Sequence, residues 1–445
     1  MSASSEFNKI FQYKKLEEIF LSTIEFNNSV GIDRISPKLF KKNINDNISL
    51  IRRKVLNGTY SFSHFKEQLI LRDANRPPRV ISIPTVRDKL TLKALFLILY
   101  SVYNENSPFL HKIISNIKMD ISHGKFDGIL RLDVKDFYPS ISHDILLKQL
   151  SKKIRKKEVI HLITNSISRK TININNQVKN RKQLTNNRGI PQGLAISNIL
   201  ANVYMQTIDK KYNNKSSLRY YRYVDDILIF CKLKKVERIK SEIIKECNDL
   251  GLTIHTDNPS KTCEGDICDG FDYLGYKFDD SLVTVRKKSI DKLRESIIVL
   301  LTKYKYSKNS EIKILAWSLN IKITGCIYEK TKYGWLSYFS QINDFQLLHS
   351  LDHFVKKQLI RFEINPKEIK VKKFVRAFHE TTKNLNKSNY IPNFDLFETK
   401  EKSTILNEIF GINTKSLSKK RIEYLFKQRI FRIVKDLEKD LGRKS

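Results

Sequence analysis

Hydrophobic positions at the start of the chain recur at helical spacing. From Phe7 to Phe26 they predict an amphipathic helix, and Ser36-Pro37 reads as an N-cap followed by proline at the first helical position. The texture changes between Phe65 and Pro84. There Gln68-Leu69-Ile70-Leu71 and Val80-Ile81-Ser82-Ile83 are short strand-like runs around the turn-rich Asp73-Ala74-Asn75-Arg76-Pro77-Pro78, which predicts a β-hairpin carrying arginines. A helix is predicted over 86–103 and a strand over 128–134. That strand ends in the acidic, aromatic string Asp133-Val134-Lys135-Asp136-Phe137-Tyr138-Pro139-Ser140 and so delivers a carboxylate to its own end.

Basic helical sequence follows, including Lys152-Lys153-Ile154-Arg155-Lys156-Lys157. The glycine-punctuated segment Arg188-Gly189-Ile190-Pro191-Gln192-Gly193-Leu194 then enters a helix predicted over 195–212. Next, Arg219-Tyr220-Tyr221-Arg222-Tyr223 and Ile227-Leu228-Ile229-Phe230 flank Val224-Asp225-Asp226, the pattern of a hairpin with an acidic tip. A helix near 234–250 and strands over 252–255 and 271–278 complete an α+β mixture. From Ile290 onward the pattern is almost wholly helical. In the stretch 417–437, Ile422, Leu425, Phe426, Ile430 and Ile433 share one side.

Charge narrows the function. Lysine and arginine total 82 against 47 acidic residues, a formal charge of +35, while 40% of the chain is hydrophobic. A folded protein with that excess has a polyanionic partner, and nucleic acid is the favoured one because counterion release along a phosphate backbone supplies affinity whatever the sequence. An anionic membrane surface is the rival. The amino terminus lacks a myristoylation glycine, the carboxyl terminus lacks a prenylation cysteine, no cleavable signal opens the chain, and the longest apolar stretch, 94–100, is far short of a membrane span. The expectation is a cytoplasmic protein with no membrane partner. The five cysteines, Cys231, Cys247, Cys263, Cys268 and Cys326, lack zinc-site spacing and are expected as reduced thiols.

Carboxylates at a strand end and a hairpin tip point to metal-assisted phosphoryl transfer. Two magnesium ions can activate an attacking hydroxyl and steady a leaving pyrophosphate, and they need few protein ligands because waters and substrate phosphates complete their octahedra. Either acidic element alone reads as a solvated turn or a cap. Together, with a Pro-Gln-Gly turn between them, the set strongly resembles the reverse transcriptases: Asp133 with Phe137-Tyr138 is similar to their first catalytic motif, Gly189–Gly193 to the second, and Tyr223-Val224-Asp225-Asp226 to the third.

That resemblance implies a right-hand polymerase of the α+β class, with fingers and palm built on an antiparallel sheet plus helices and with a helical thumb. Its expected domains are an N-terminal extension and fingers at 1–127 and a palm at 128–289, with a fingers insertion at about 145–185 and primer-grip strands at about 270–285. A helical thumb and basic C-terminal region would fill 290–445. It implies RNA-directed DNA synthesis using two Mg2+ ions, with Mn2+ as an alternative. Asp133 and Asp225 are the main ligands so implied, with Asp226 supporting and the Val134 carbonyl a further contact. Tyr138 falls where an aromatic ring screens the 2′ side of the incoming sugar and favours deoxynucleotides. Gln192 and Gly193 belong to the implied nucleotide site. Arg79, with Arg72 and Arg76 behind it, is implied to grip the triphosphate, for which a guanidinium is suited. Lys261, after Leu250-Gly251-Leu252-Thr253-Ile254-His255, resembles the lysine that protonates departing pyrophosphate.

The resemblance covers most of residues 30 to 290. Gly31-Ile32-Asp33 is similar to the extension of bacterial and intron-encoded members, and no added endonuclease, RNase H or integrase signature is visible. The stretch Trp317 to Asp352, with Ile323-Thr324-Gly325 and Tyr333–Asp344, resembles the C-terminal region of bacterial defence-associated reverse transcriptases, most nearly the A subunit of type 3 systems. This implies antiphage defence, a noncoding RNA beside the RNA template and DNA product, and a second reverse transcriptase subunit. The alternatives are a retron-like or intron-derived enzyme, or an RNA-binding assembly subunit that keeps the fold without catalysis.

Overall fold

The structure is a computed structural model of the 445-residue chain; it describes all residues except 1, 28, 72–76, 104–109, 174–184, 257–260, 308–310, 386–387 and 442–445. The chain divides into two compact units, one formed by 1–109 and 126–266, the other by 110–125 and 267–445.

The strands of the first unit, in chain order, are β1 (Phe65–Ile70), β2 (Arg79–Ile83), β3 (Gly128–Lys135), β4 (Thr171–Ile172), β5 (Arg219–Tyr223), β6 (Asp226–Cys231), β7 (Thr253–Ile254) and β8 (Cys263–Asp266). The predicted arginine-bearing hairpin is β1 paired antiparallel with β2, Leu69 opposite Val80; β4 adds in parallel to β1. The larger sheet runs β5-β6-β3, and the two ends of β3 take different partners: Gly128–Arg131 pairs with β8, Val134–Lys135 with β7. All these pairings are antiparallel. Buried almost throughout, β6 reads as a continuous apolar run from Ile227 to Cys231, whereas the second half of β3 alternates, Arg131, Asp133 and Lys135 falling between Leu130, Leu132 and Val134.

Helices cover this sheet and the hairpin. Val86–Tyr103 is so thoroughly buried that its apolar residues lie all round it, and Ser197–Asn213 buries Ile199, Leu200, Val203, Tyr204 and Ile208. Ser36 caps Pro37–Lys42 as expected, its hydroxyl accepting from Leu39 N–H at 3.2 Å. The stretch from Phe7 to Phe26, expected as one helix, is Ala3–Ile10 and Tyr13–Ile19 followed by a π-helical turn at Phe20–Ile24; the break at Phe11-Gln12 leaves Phe7 and Phe11 packed ring against ring at 5.1 Å.

In the second unit, β9 (Phe271–Tyr273), β10 (Tyr276–Asp279) and β11 (Leu282–Val285) form an antiparallel meander. Helices dominate the remainder, as predicted, with one exception. Two short strands, β12 (Cys326–Tyr328) and β13 (Thr331–Tyr333), form a hairpin whose turn residues Glu329 and Lys330 both have positive φ, their N–H groups donating to Asp395 at 2.7 Å each. No glycine or asparagine marks that turn, so its signal was absent from the sequence. Of the helix Lys419–Asp440, Ile422, Phe426 and Ile430 enter a separate apolar cluster with Leu406 and Phe394, and Leu425 and Ile433 pack at its margin. The aromatic stretch 333–344 is core: Trp335 is buried, Tyr276 Oη donates to the Tyr338 carbonyl at 2.5 Å, and Tyr338 Oη donates to the Leu274 carbonyl at 3.0 Å. The five cysteines form no disulfide with one another.

Candidate active site

The antiparallel register of β3 and β6 sets Asp133 directly opposite Asp226, and the two-residue turn Val224-Asp225 between β5 and β6 places Asp225 at the hairpin tip. The tip is tied to β3 by Val134 N–H donating to the Asp225 carbonyl at 3.2 Å. Residues far apart in sequence thereby share one end of the sheet. Val224 adopts φ 60°, a left-handed conformation that is costly for a β-branched residue and typical of backbone strained at a functional turn.

Burial and mutual repulsion shape the carboxylates. Desolvation, then the Asp133 charge, pushes the Asp225 carboxyl up to about 6. Asp226 is raised by desolvation, and this is opposed by Arg131, whose Nε and Nη2 donate to its two carboxylate oxygens at 2.9 Å each. Lys261 Nζ donates to Asp133 Oδ2, with His255 Nε2 3.7 Å from the same oxygen. His255 N–H also donates to the Asp133 carbonyl at 3.0 Å. Among the described residues, no three His, Cys, Asp or Glu side chains close around one point as a ready metal cage. Two carboxylates, Asp133 and Asp225, nevertheless suit a hard cation that keeps waters and substrate oxygens, and the repulsion raising Asp225 is what a divalent ion would relieve.

The rest of the expected site assembles around this end. Asp136, with φ 44°, turns the chain after β3 into the short helix Phe137–Ser140. The turn presents Tyr138, whose hydroxyl is pushed up to about 12 by desolvation and the Asp225 charge and held back by Arg79. The glycine segment clamps that turn: Ile190 N–H donates to the Tyr138 carbonyl at 2.9 Å and Gly189 N–H to the Ile141 carbonyl at 2.8 Å. Gly189 has φ 88°, and a Cβ there would lie 2.9 Å from the Pro139 oxygen, so the close approach requires glycine. The Gln192 carbonyl accepts from Ser82 N–H on β2 at 2.7 Å, and Gly193, φ 103°, lies against Ile81 and Ser82. Arg79 is exposed at the start of β2. Arg72 and Arg76 lie outside the described residues.

Two supporting residues escaped the sequence reading. Arg222 on β5 reaches the helix Ser197–Asn213, its Nε and Nη2 donating to the Asp209 carboxylate at 2.7 and 2.6 Å. Its Nη1 donates to the Val224 carbonyl at 2.8 Å and to Asn202 Oδ1 at 3.2 Å. Arg131 is the other. The alternation of β5 and β3 hinted at which face each occupies, but their partners lie elsewhere in the chain.

Residues 71–278 match the family described as Reverse transcriptase (RNA-dependent DNA polymerase). Protein YkfC of Escherichia coli is 20% identical over 345 residues, covering 66% of this chain and 85% of its own length. The group II intron-encoded protein LtrA of Lactococcus lactis is 23% identical over 269 residues, which is 55% of this chain but 43% of LtrA. A structure of telomerase from Candida albicans covers 93% of this chain and 71% of that chain at 13% identity and a TM-score of 0.42. Over residues 71–278, a little under half of its length, the chain thus matches the reverse transcriptase family of RNA-dependent DNA polymerases.

Proposed function

We propose that the chain copies an RNA template into DNA by metal-dependent nucleotidyl transfer at the β3–β6 strand ends. The observation that carries this reading is the register that sets Asp133 opposite Asp226 with Asp225 at the adjoining tip. Asp133 and Asp225 would hold two Mg2+ ions, or Mn2+, with the Val134 carbonyl nearby; bound there, the ions would supply an activated 3′-oxygen and charge neutralisation at the leaving pyrophosphate. The chain's own side chains do the remainder. Tyr138, fixed through its carbonyl by Ile190, screens the sugar's 2′ position. Arg79 and the backbone of Gln192-Gly193 line the triphosphate. Lys261, hydrogen-bonded to Asp133, is the ammonium that would give a proton to the departing pyrophosphate. The excess of 35 positive charges supports a nucleic-acid partner.

The test is incorporation of labelled deoxynucleotides by purified protein against the Asp225→Ala/Asp226→Ala variant. Equal signal from both would end the catalytic reading and leave an assembly role.

The biological setting we infer is antiphage defence with a noncoding RNA and a second reverse transcriptase subunit, with 1–127 and 128–289 as fingers and palm and 290–445 as thumb and basic C-terminal region. The resemblance of residues 317–352 to defence-associated enzymes supports it. The similarity to LtrA, a group II intron-encoded protein, favours a second reading, an intron-derived enzyme. Plaque counts on cells carrying the intact gene or the Asp225 variant separate them, since an intron-derived enzyme leaves phage yield unchanged. Among the described residues no helix is long and apolar enough to cross a membrane.

A further inference from the structure

Arg131 precedes Asp133 by two residues on β3, so both side chains stand on one face of the strand, and the register puts Asp226 on that same face, diagonal to Arg131. The pair is a planar fork: two N–H groups meet two carboxylate oxygens at 2.9 Å each, with each side chain only 14% exposed. The other carboxylates are served differently. Asp133 is neutralised by Lys261, a flexible ammonium whose side chain is 26% exposed. Asp225 has no cationic side chain within hydrogen-bonding distance among the described residues.

We infer that Asp226 is an anion held by Arg131 rather than a third metal ligand, and that Arg131 is a positioning residue which holds this carboxylate and the β3–β6 strand ends in place. The inference rests on the metal-dependent reading above. Its physical basis is a difference in what a cation must displace. At Asp133 a divalent ion displaces an ammonium that can swing to solvent. At Asp226 it would have to break a two-bond fork to a largely buried guanidinium, and separating a buried ion pair is the costly outcome. Asp133 and Asp225 are therefore the carboxylates that take cations, and Asp226 keeps its fork throughout.

The test is a double-mutant cycle on the full chain in EDTA, where no metal contributes, using Arg131→Met, Asp226→Asn and the double variant in urea denaturation. Arg131→Met should lower the folding equilibrium constant on the order of 100-fold, and the double variant should be at least about tenfold more stable than the sum of the singles allows. Arg131→Lys, which keeps the charge without the fork, should fall between. In a second measurement, the Mg2+ concentration giving half-maximal incorporation should stay within about threefold in Asp226→Asn although turnover falls, the pattern of a group that positions rather than ligates. Additive stabilities, or a rise of about tenfold or more in the Mg2+ requirement of Asp226→Asn, would overturn the inference. Full incorporation by Asp225→Asn would instead sink the metal-dependent reading while leaving the Arg131 cycle to stand or fall alone.

Discussion

Replacing Arg222 with methionine should separate stability from catalysis at the hairpin tip. In the native structure the guanidinium spends two N–H groups on Asp209 and one on the Val224 carbonyl, and its side chain is 8% exposed against 21% for Asp209. Removing one member of a buried pair costs about 3–5 kcal/mol, which the partial exposure of Asp209 and its remaining bond from Tyr220 Oη at 2.9 Å reduce to about 2–4. Val224, held at φ 60° at a strain of about 1–3 kcal/mol, also loses its clasp and can relax, carrying Asp225 with it. Urea denaturation should therefore show a loss of about 2–4 kcal/mol and nucleotide incorporation should fall at least about tenfold. Adding Asp209→Leu should restore most of the stability, because a packed apolar pair can replace a buried ionic one, but not activity, because the Val224 carbonyl stays unclasped. A cost below about 1 kcal/mol for Arg222→Met, or a double variant regaining activity together with stability, would refute this account.

Three other outcomes follow from the geometry. The Asp88 carboxyl, buried beneath Tyr60, Ser63 and Thr85, is pushed up to about 6 by desolvation. Since its folded pKa lies above its unfolded value of 3.8, the protonated form is favoured in the fold and stability is lost as pH rises from about 4 to about 6. Asp88→Asn should remove up to about 3 kcal/mol of that slope, read as the difference in urea midpoint between variant and native protein across the same range; parallel midpoints would show that Asp88 does not titrate there. Gly193→Ala should cost about 2 kcal/mol or more by denaturation, since φ 103° disfavours a side chain and the new Cβ would sit 2.8 Å from Ile81 Cγ2; an unchanged midpoint would mean the Pro-Gln-Gly turn does not press on β2. Tyr138→Ala should raise ribonucleotide use relative to deoxynucleotide use by about tenfold or more in kcat/KM, and an unchanged ratio would assign Tyr138 to packing alone.

The sequence by itself determined the local elements and the chemical inventory. The hairpin at Phe65–Ile83, the helix at Val86–Tyr103 and the β5–β6 arms were legible because side-chain period and turn residues are local signals. The β12–β13 hairpin was not legible, because its turn rests on Asp395 capturing two N–H groups rather than on turn-forming residues. Tertiary structure alone decided which charges meet. That Arg131 engages Asp226, Lys261 engages Asp133 and Arg222 clasps both Asp209 and the Val224 carbonyl depends on strand register and on a helix packed behind the sheet. A lysine or arginine carries no mark of its partner in a chain with 82 of them, since charge pairing is set by distance in space and spacing along the polypeptide does not encode it.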